Sequence, residues 1–545
     1  MTEPFNAPAW LVDRHLNAGL GDRIAYRCLD SAITYSTLAT ETWRAARMLH
    51  ELGVGPGDRV LMLVLDEPAF PALYLGAMRV GAVAVPVSTM LRPHDVAVIA
   101  ADAIPRVVIA SRPLEAHMRA AIAAADAAAA GASTAACVGV LVDTAFAAPP
   151  LGSPDDDTPR DGSGVLLWSN FIDSREVPSP PTDNRTPGFW LYTSGTTGQP
   201  KAAVHTHGDI KGVADTYARS VLAIDPDDVC YSVAKLFFAF GLGNCLFFPL
   251  SVGASAVIDP RPPTPAIVAD NAQRHQPSLF FAPPGFCAAL VDSAVSADTF
   301  ASLRATVTAG ETLPAEVYRR FKERFGVEML DGIGSTEALH IFISNHPGDV
   351  RPGSTGRVVD GYKVRLTDDH GDEIRSASAQ GALWVRGPSV TQGYWARPET
   401  NKATFLDAWC RTGDVYRRDE EGYYYFVGRN SDMIKAGGIW VSPAEVEAAL
   451  IEHPGVLEAA VVGGRSAEGL EITVAFVVAA AGHQIDTAAL ITHCKQRLAS
   501  FKRPREIFLV DSLPKTATGK IQRFALRTRL EGEVPPAATN LAPSL

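Results

Sequence analysis

The sequence GFWLYTSGTTGQPK, at residues 188–201, decides how this chain is interpreted. It begins as an apolar strand and continues as a run of glycine, serine and threonine that closes with Lys201. Small residues let backbone N–H groups approach an anion, hydroxyls add donors, and the lysine adds positive charge. The run predicts a phosphate-binding loop at a strand end, and a polar connecting loop is the alternative. It is not a Walker P-loop, because the G-x-x-x-x-G-K-[ST] spacing is absent.

Apolar runs alternate with helical stretches on both sides of this loop. Helices are predicted at residues 67–80 and, as an Ala-rich surface helix, 119–137, and strands at residues 59–65, 82–87, 106–110, 278–282, 305–308 and 327–330. This alternation is typical of mixed α/β layers. Ligands bind beyond the carboxyl ends of the strands in such sheets, so we expect the site there. Residues 147–188, rich in Pro, Asp and Ser, are expected to be a loop or an insertion.

The length of 545 residues predicts at least two domains. Past Gly428 the pattern changes to that of a compact α+β unit. We therefore expect an N-terminal domain at residues 1–430 with several subdomains of mixed sheets and helices, a smaller α+β domain at residues 431–531, and a disordered tail at residues 532–545.

Charge and cysteine content restrict the partners and the compartment. The chain has 49 basic and 60 acidic side chains, a net charge of -11, which disfavours nucleic acid as the main partner. Seven scattered cysteines, with no C-x-x-C pair, indicate reduced thiols. With neither a signal peptide nor a membrane span in the sequence, we expect a cytoplasmic protein that acts on small molecules.

Four further motifs follow predicted strands or lie near the domain boundary. They are GIGSTE at residues 332–337, RTGD at 411–414, GRNSDMIK at 428–435 and PKTATGK at 514–520. A carboxylate such as Glu337 suits a hard cation, an Asp suits the two hydroxyls of a ribose, and a mobile lysine suits a phosphoryl transition state. Taken singly, each motif is also explained as a capped turn, a surface charge pair or a solvated basic loop.

Together the five motifs resemble those of the adenylate-forming enzymes, which include acyl- and aryl-CoA synthetases, firefly luciferase and nonribosomal adenylation domains. The motifs occur in that family's order and approximate spacing between residues 22 and 527. The sequences LFFAFGLGN at residues 236–244 and GIGSTEALHIFISN at residues 332–345 resemble the benzoate–CoA ligase branch.

The resemblance implies a nucleotide site with Mg²⁺ bound at Glu337, which would act with Thr336 and Lys520 in catalysis. Residues implied to bind ATP are Thr193, Ser194, Gly195, Thr196, Thr197, Lys201, Gly310, Glu311, Thr312, Asp331, Gly332, Ile333, Asp414 and Arg429. In the family a carboxylate attacks the α-phosphorus of ATP, pyrophosphate leaves, and the thiol of CoA then displaces AMP. The resemblance makes the C-terminal domain mobile about a hinge at Asp432 and assigns the CoA tunnel to Lys435, Gly437, Gly438 and Trp440.

The resemblance also places an aromatic acid beside the nucleotide. The implied lining residues are Phe238, Ala239, Phe240, Gly241, Gly334, His340 and Ile341. Flat aromatic walls and glycines suit a planar ring, although a buried core face has the same composition. Benzoate ligases usually have Tyr where this chain has Phe240, so the lost hydroxyl favours an acid other than plain benzoate. Benzoate, 2-aminobenzoate and hydroxybenzoates all stay open.

Two rival functions remain. The first is a stand-alone adenylation enzyme that loads an aryl acid onto a carrier protein in trans, since only 25 residues follow Lys520. The second is a catalytically silent nucleotide-binding protein on the same fold. The presence of Lys520, Glu337 and Asp414 argues against the second. Only base rates bear on the oligomeric state, and they favour a homodimer.

Overall fold

The structure is a computed structural model. It describes residues 4–130, 136–143, 165–194, 200–368, 370–429, 432–436, 439–466, 470–480, 482–515 and 521–532. At Ser194, Lys435 and Trp440 the description covers the backbone alone.

Up to Thr206 the chain alternates between helices and buried strands. In chain order these are α1 (Arg14–Asn17), β1 (Ile24–Cys28), β2 (Ser31–Thr34), α2 (Tyr35–Glu51), β3 (Arg59–Leu63), α3 (Ala69–Arg79), β4 (Val83–Pro86), α4 (Pro93–Ala103), β5 (Val107–Ser111), α5 (Glu115–Ala129), β6 (Val138–Val142), β7 (Leu166–Leu167), β8 (Pro187–Ser194) and β9 (Pro200–Thr206). Strands β3 to β9 form a sheet in the order β7-β6-β5-β3-β4-β8-β9, parallel except for the β8–β9 hairpin.

The middle of the chain forms a second large sheet. Its elements are α6 (His207–Val213), β10 (Val229–Ser232), α7 (Ala239–Leu242), α8 (Phe248–Val252), β11 (Ser255–Ile258), α9 (Pro265–His275), β12 (Leu279–Phe281), α10 (Pro284–Asp292), β13 (Ala305–Ala309), α11 (Ala315–Phe325), β14 (Met329–Gly334), β15 (Ile341–Ser344) and β16 (Arg357–Val358). With β1 and β2 the strands run in the order β16-β15-β14-β13-β12-β10-β11-β1-β2. The central pairs are parallel and buried on both faces, as expected for strands covered by helices.

The remaining residues form smaller antiparallel and mixed sheets. Their elements are β17 (Lys363–Thr367), β18 (Gln380–Arg386), α12 (Pro398–Thr404), β19 (Phe405–Leu406), β20 (Trp409–Arg418), β21 (Tyr424–Arg429), β22 (Ile434–Ala436), β23 (Ile439–Val441), α13 (Pro443–Ile451), β24 (Val456–Arg465), β25 (Glu471–Ala479), α14 (Thr487–Arg497), β26 (Glu506–Leu509) and α15 (Arg523–Gly532). Strands β24 to β26 pack on their own apolar clusters, which are separate from the core of the two large sheets. The mixed α/β class with a small C-terminal α+β unit is confirmed.

Several predicted boundaries are wrong. The Ala-rich helix spans Glu115–Ala129, so it begins earlier and ends before residue 131. The strand predicted at residues 327–330 is β14, which continues through Asp331 to Gly334 because β15 pairs with it as a hairpin. Gly532 ends α15 instead of beginning a tail. The tail that follows and residues 147–164 of the predicted insertion lie outside the described residues, whereas residues 165–188 are described and include β7.

Candidate active site

Lys201 and Glu337 come together through a tyrosine hydroxyl. Lys201 lies on β9 and Glu337 lies in the turn after β14. The Lys201 ammonium donates a 2.7 Å hydrogen bond to the Tyr394 hydroxyl, which in turn donates a 2.6 Å bond to Glu337 Oε1. Burial lowers the pKa of Lys201, while the Glu337 carboxylate acts in the opposite direction. A cation and a carboxylate bridged by one hydroxyl therefore lie beside the β8–β9 hairpin.

Tyr394 reaches this position because its segment pairs with the edge of β9. Tyr394 forms an isolated bridge with Ala203. The amide of Trp395 donates to the Ala202 carbonyl over 2.9 Å. Upstream in the same segment, the Thr391 amide donates to the Glu337 carbonyl over 2.8 Å. The segment thus holds both the backbone and the side chain of Glu337.

A buried histidine holds the neighbouring residue, Thr336. The Nε2 atom of His205 lies 2.8 Å from the Thr336 carbonyl oxygen, and its Nδ1 atom lies 2.8 Å from Asp209 Oδ2. The imidazole ring therefore bridges the Thr336 carbonyl and the Asp209 carboxylate. The Thr206 hydroxyl also donates to Asp209, over 2.7 Å. The dyad fixes the backbone on which Thr336 and Glu337 sit.

The β8–β9 hairpin is hydrogen-bonded to α4. Asp102 accepts hydrogen bonds from the Tyr192 hydroxyl at 2.7 Å and from Arg397 at 2.6 Å. Strands β8 and β9 pair as far as Ser194 and Pro200. Gly195, Thr196 and Thr197 lie outside the described residues, so their predicted phosphate contacts stay predictions.

The predicted adenine-binding residues lie at the ends of β13 and β14. Gly310 has a φ of +92°, and the Glu311 carboxylate accepts the Gly285 amide at 3.1 Å. Asp331 is buried, which raises the pKa of its carboxyl well above the ordinary value, and the Thr308 hydroxyl donates to it over 3.2 Å. The two strands are neighbours in the sheet, so these residues share one edge.

The glycines of GIGSTE lie inside β14 instead of in the turn after it. A Cβ atom on Gly332 would lie 2.8 Å from Ile341 Cγ2, and one on Gly334 would lie 2.5 Å from the His340 carbonyl oxygen. The glycines therefore allow β15 to pack close to β14. The turn comes next, where the Ser335 hydroxyl accepts the Ala338 amide at 3.1 Å.

Asp414 and Arg429, predicted to bind ribose, face each other across β20 and β21. Arg429 Nε lies 2.8 Å from Asp414 Oδ1. Asp414 is buried, whereas the Arg429 side chain is 48% exposed. The arginine holds the carboxylate in place on β20, which lies between β18 and β21 in the small antiparallel sheet.

The predicted aromatic pocket gathers around His340. Its ring centroid lies 5.3 Å from that of Phe240, 4.6 Å from Phe248 and 5.2 Å from Tyr217. Burial lowers the pKa of His340 to about 3, so the ring is neutral. Nε2 donates a 3.1 Å hydrogen bond to Asn244 Oδ1, since the Asn244 amide nitrogen is used on Ser232.

The remaining pocket residues lie on α7 and β15. Phe238, Ala239 and Phe240 are half-buried, while Gly241 and Ile341 are buried. The wider π-helical turn at Gly243–Phe247 follows α7 directly and carries Asn244. Phe240 also meets Phe281 edge to face, with centroids 6.3 Å apart. Of the residues expected to line the acid site, the structure thus brings Phe240 and Gly334 against His340, and the role of the set stays a prediction.

The C-terminal residues are described only in part. Asp432 Oδ1 accepts from Arg527 at 3.2 Å, and Arg523 Nη2 lies 2.7 Å from Glu447 Oε1, which ties α15 to the predicted hinge. Lys520, Gly437 and Gly438 lie outside the described residues, as do the side chains of Lys435 and Trp440.

Tyr394, His205, Asp209 and Asn244 were not predicted from the sequence. His205 and Asp209 have an i, i+4 spacing that indicates a pair, but only folding shows that it faces Thr336. Tyr394 follows a glycine in a stretch without periodicity. No local signal in the sequence distinguishes it from the other tyrosines of the chain.

Features outside the site bear on the other predictions. Every cysteine of the chain is described and none is in a disulfide. Within the described part of the chain, no helix is long and apolar enough to cross a membrane.

The comparisons with known proteins agree with the site. The AMP-binding enzyme family matches residues 13–395, and the AMP-binding enzyme C-terminal domain matches residues 445–520. A benzoate–CoA ligase from Thauera aromatica is 43% identical over 534 residues, which cover 96% of each chain. The crystal structure of a benzoate CoA ligase from Burkholderia xenovorans LB400 is 38% identical, with a TM-score of 0.85 over 96% of this chain and 100% of that one.

A second solved structure is that of the anthranilate CoA ligase AuaEII in complex with anthranoyl-AMP. It is 33% identical, with a TM-score of 0.87 over 97% of this chain and 98% of that one. The fold, the motifs and these relatives lead to one conclusion. The chain belongs to the AMP-binding enzymes, in the benzoate–CoA ligase branch of ATP-dependent, AMP-forming acid–thiol ligases that use Mg²⁺ and CoA.

Proposed function

We propose that this ligase activates benzoate or a ring-substituted benzoate, such as 2-aminobenzoate or a hydroxybenzoate, and transfers the aryl group to CoA. The observation that carries the proposal is the cluster of rings around His340, three residues after Glu337. A neutral imidazole among phenyl rings suits an uncharged planar ring, because it demands no counter-charge. The named acids of the relatives are of the same kind.

Phe240 bears on which benzoate is used. Its ring lies against His340 and Phe281 and carries no hydroxyl for a ring substituent. His340 Nδ1 is buried as well and has no hydrogen-bond partner in the described residues. Benzoate, 2-aminobenzoate and hydroxybenzoates therefore all stay candidates, and the panel of acids distinguishes them.

We assign the nucleotide to the region between Lys201 on β9, Asp414 on β20 and the ends of β13 and β14. Lys201 and the loop residues Thr193 to Thr197 bind the β- and γ-phosphates, Asp414 binds the ribose, and the ends of β13 and β14 enclose the adenine. Among the described residues no cluster of three or more His, Cys, Asp or Glu is arranged to hold a metal. Mg²⁺ is usually held by one or two carboxylates and phosphate oxygens, so the half-buried Glu337 fits it. When bound, Mg²⁺ neutralises charge on the triphosphate.

The reaction has two steps on one site. A carboxylate oxygen of the acid attacks the α-phosphorus, the bond to the β-phosphate oxygen breaks, and pyrophosphate leaves. The sulfur of CoA then attacks the carbonyl carbon, its proton is lost, and AMP leaves. We assign Lys520 to stabilise charge in the first step, and the turn at residues 435–440 to line the CoA tunnel in the second.

Asp432 is assigned to the hinge between the steps. Its pairing with Arg527 anchors the hinge residue to α15 of the same C-terminal unit, which gives the unit a fixed point about which to rotate. We take the domains to be residues 1–430 and 431–531. The free cysteines support a reducing, cytoplasmic location.

ATP-dependent thioester formation across a panel of acids tests the proposal. The panel contains benzoate, its 2-, 3- and 4-amino and hydroxy derivatives, cinnamate and a medium-chain fatty acid, with CoA or a carrier protein as acceptor. We expect selectivity for one benzoate with CoA, and loss of activity in Lys520→Ala. Preference for cinnamate or the fatty acid would overturn the pocket assignment, and preference for the carrier protein would overturn CoA as the acceptor.

A further inference from the structure

The segment that begins the aromatic pocket is held by a carboxylate outside it. Asp66 follows β3 in the seven-stranded sheet, whereas Leu236 precedes α7 beside the nine-stranded sheet. The Leu236 amide lies 3.1 Å from Asp66 Oδ1 and 3.3 Å from Oδ2. Asp66 is 5% exposed. One buried carboxylate thus joins the two large sheets at the start of the pocket segment.

Lys235 strengthens this junction from the same segment. Its ammonium lies 4.0 Å from Asp66 Oδ2 and donates to the carbonyl oxygens of Asp259 and Arg261, the latter over 2.9 Å. The side chain therefore points back to the end of β11 and away from the pocket. Lys235 and Leu236 together tie the backbone to two strand ends.

The position of Lys235 sets the position of Phe240. The Phe238 amide donates to the Lys235 carbonyl over 3.0 Å, and a Cβ atom on Gly241 would lie 2.0 Å from that oxygen. The segment curls so closely on Lys235 that a shift of this residue displaces α7. Phe240, whose ring faces His340, lies within that curl.

We propose that Asp66 is a positioning residue that sets the fit of the aromatic acid by fixing the segment from Lys235 to Gly241. The inference rests on the proposed function, because it takes Phe238 to Phe240 as the wall of the acid site. Asp66 touches neither substrate, and it acts through Leu236 and Lys235. The predicted nucleotide-binding residues Lys201, Glu337 and Asp414 are positioned by Tyr394 and Arg429 and make no contact with Asp66.

The charge of Asp66 makes the role measurable. Lys235 faces it as a cation, and Asp259 and Glu67 face it as neighbouring carboxyls. Burial raises the pKa of Asp66 to about 6, against the opposing effect of Lys235. Below that pH one oxygen gains a proton and the ion pair with Lys235 is lost. The binding of the acid should therefore weaken below about pH 6 while the binding of ATP does not.

The test compares Asp66→Asn with Glu67→Gln. Asparagine keeps an acceptor for the Leu236 amide but removes the charge that faces Lys235. Glu67 is the adjacent half-buried carboxyl, and it accepts a 2.6 Å hydrogen bond from Ser111 instead of holding the pocket segment. Steady-state adenylation, measured by pyrophosphate exchange, gives KM for the best aromatic acid and for ATP between pH 5.5 and 8.

We expect Asp66→Asn to raise KM for the acid at least fivefold, to change KM for ATP less than twofold and to lose the wild-type change in KM near pH 6. Glu67→Gln should leave both KM values at pH 8 unchanged and keep the change in KM for the acid, moved to lower pH because the Glu67 carboxyl contributes to the raised pKa of Asp66. Equal changes in both KM values, or identical behaviour of the two variants, would refute the role of Asp66.

Lys235→Met is the second variant if Asp66→Asn fails to fold, and it should give the same split between the two KM values. A wild-type enzyme that accepts no benzoate would instead refute the proposed function. That outcome is read from the wild type alone, so the two failures are distinguishable.

Discussion

Replacing Tyr394 with Phe tests the central contact of the site. The change removes only the hydroxyl that accepts from Lys201 and donates to Glu337. Within the described residues no ion pair of 4.0 Å or less joins Lys201 directly to Glu337, so the hydroxyl separates them. Without it the ammonium and the carboxylate are free to pair with each other, and ATP and Mg²⁺ would have to break that pair.

The size of the effect follows from the number and type of bonds. A hydrogen bond to a charged group contributes about 1.5–3 kcal/mol. If one of the two bonds is lost from the productive complex, kcat/KM for MgATP falls about 10- to 100-fold, since about 1.4 kcal/mol is a factor of ten. The acid pocket does not contact Tyr394, so KM for the acid should change less than threefold.

Pyrophosphate exchange with MgATP and acid varied independently measures both quantities. Tyr423→Phe is the matched control, because it also removes a hydroxyl that donates to a carboxylate, that of Asp349, on the hairpin of β20 and β21. It should leave both constants unchanged. The reasoning fails if Tyr394→Phe matches the control, or if it lowers kcat/KM equally for MgATP and for the acid.

Three further predictions concern other contacts. In Gly334→Ala the new Cβ meets the His340 carbonyl at 2.5 Å, so we expect a lower melting temperature and weaker acid binding in a thermal-shift titration; an unchanged melt would contradict the close packing of β14 on β15. In Asp414→Asn we expect a rise in KM for ATP of about 10-fold from the lost charged hydrogen bonds, with KM for the acid unchanged. His207 is buried with a pKa lowered to about 4 by desolvation, so the unfolded chain binds its proton more readily and stability falls as pH drops below about 6.5. Urea unfolding should show that the free energy of unfolding falls by about 2 kcal/mol from this residue between pH 6.5 and 5. This fall should be absent in His207→Asn, and the same dependence of stability on pH in both proteins would refute the prediction.

The sequence predicted those parts of the site that depend on local chemistry. A small-residue loop after an apolar strand, with a lysine at its end, is typical of phosphate binding and stays a prediction here, while β8 and β9 flank the loop as expected. Parallel buried strands such as β13 are continuous apolar runs, so their ends could be found from the sequence. The fold class and the order of the domains followed from the same patterns.

The contacts between distant segments could not be predicted in this way. Asp66 lies 170 residues from Leu236, and Glu337 lies 57 residues from Tyr394. Neither pair has a spacing that any helix or strand period selects. The extent of β14 was missed for a related reason. Glycines in a sequence indicate a turn, and only the packing of β15 over Gly332 shows that these glycines belong to a strand.

The motifs supply the chemical groups, but the positions of those groups depend on residues outside them. His205 holds the backbone of Thr336, and Tyr394 holds the side chain of Glu337. Asp66 holds the start of the segment that carries Phe240. Each of these contacts joins segments that are far apart in the sequence. A chain with every motif intact but without these three residues should therefore fold, yet adenylate its acid poorly, because the reacting groups are held less precisely than an in-line displacement requires.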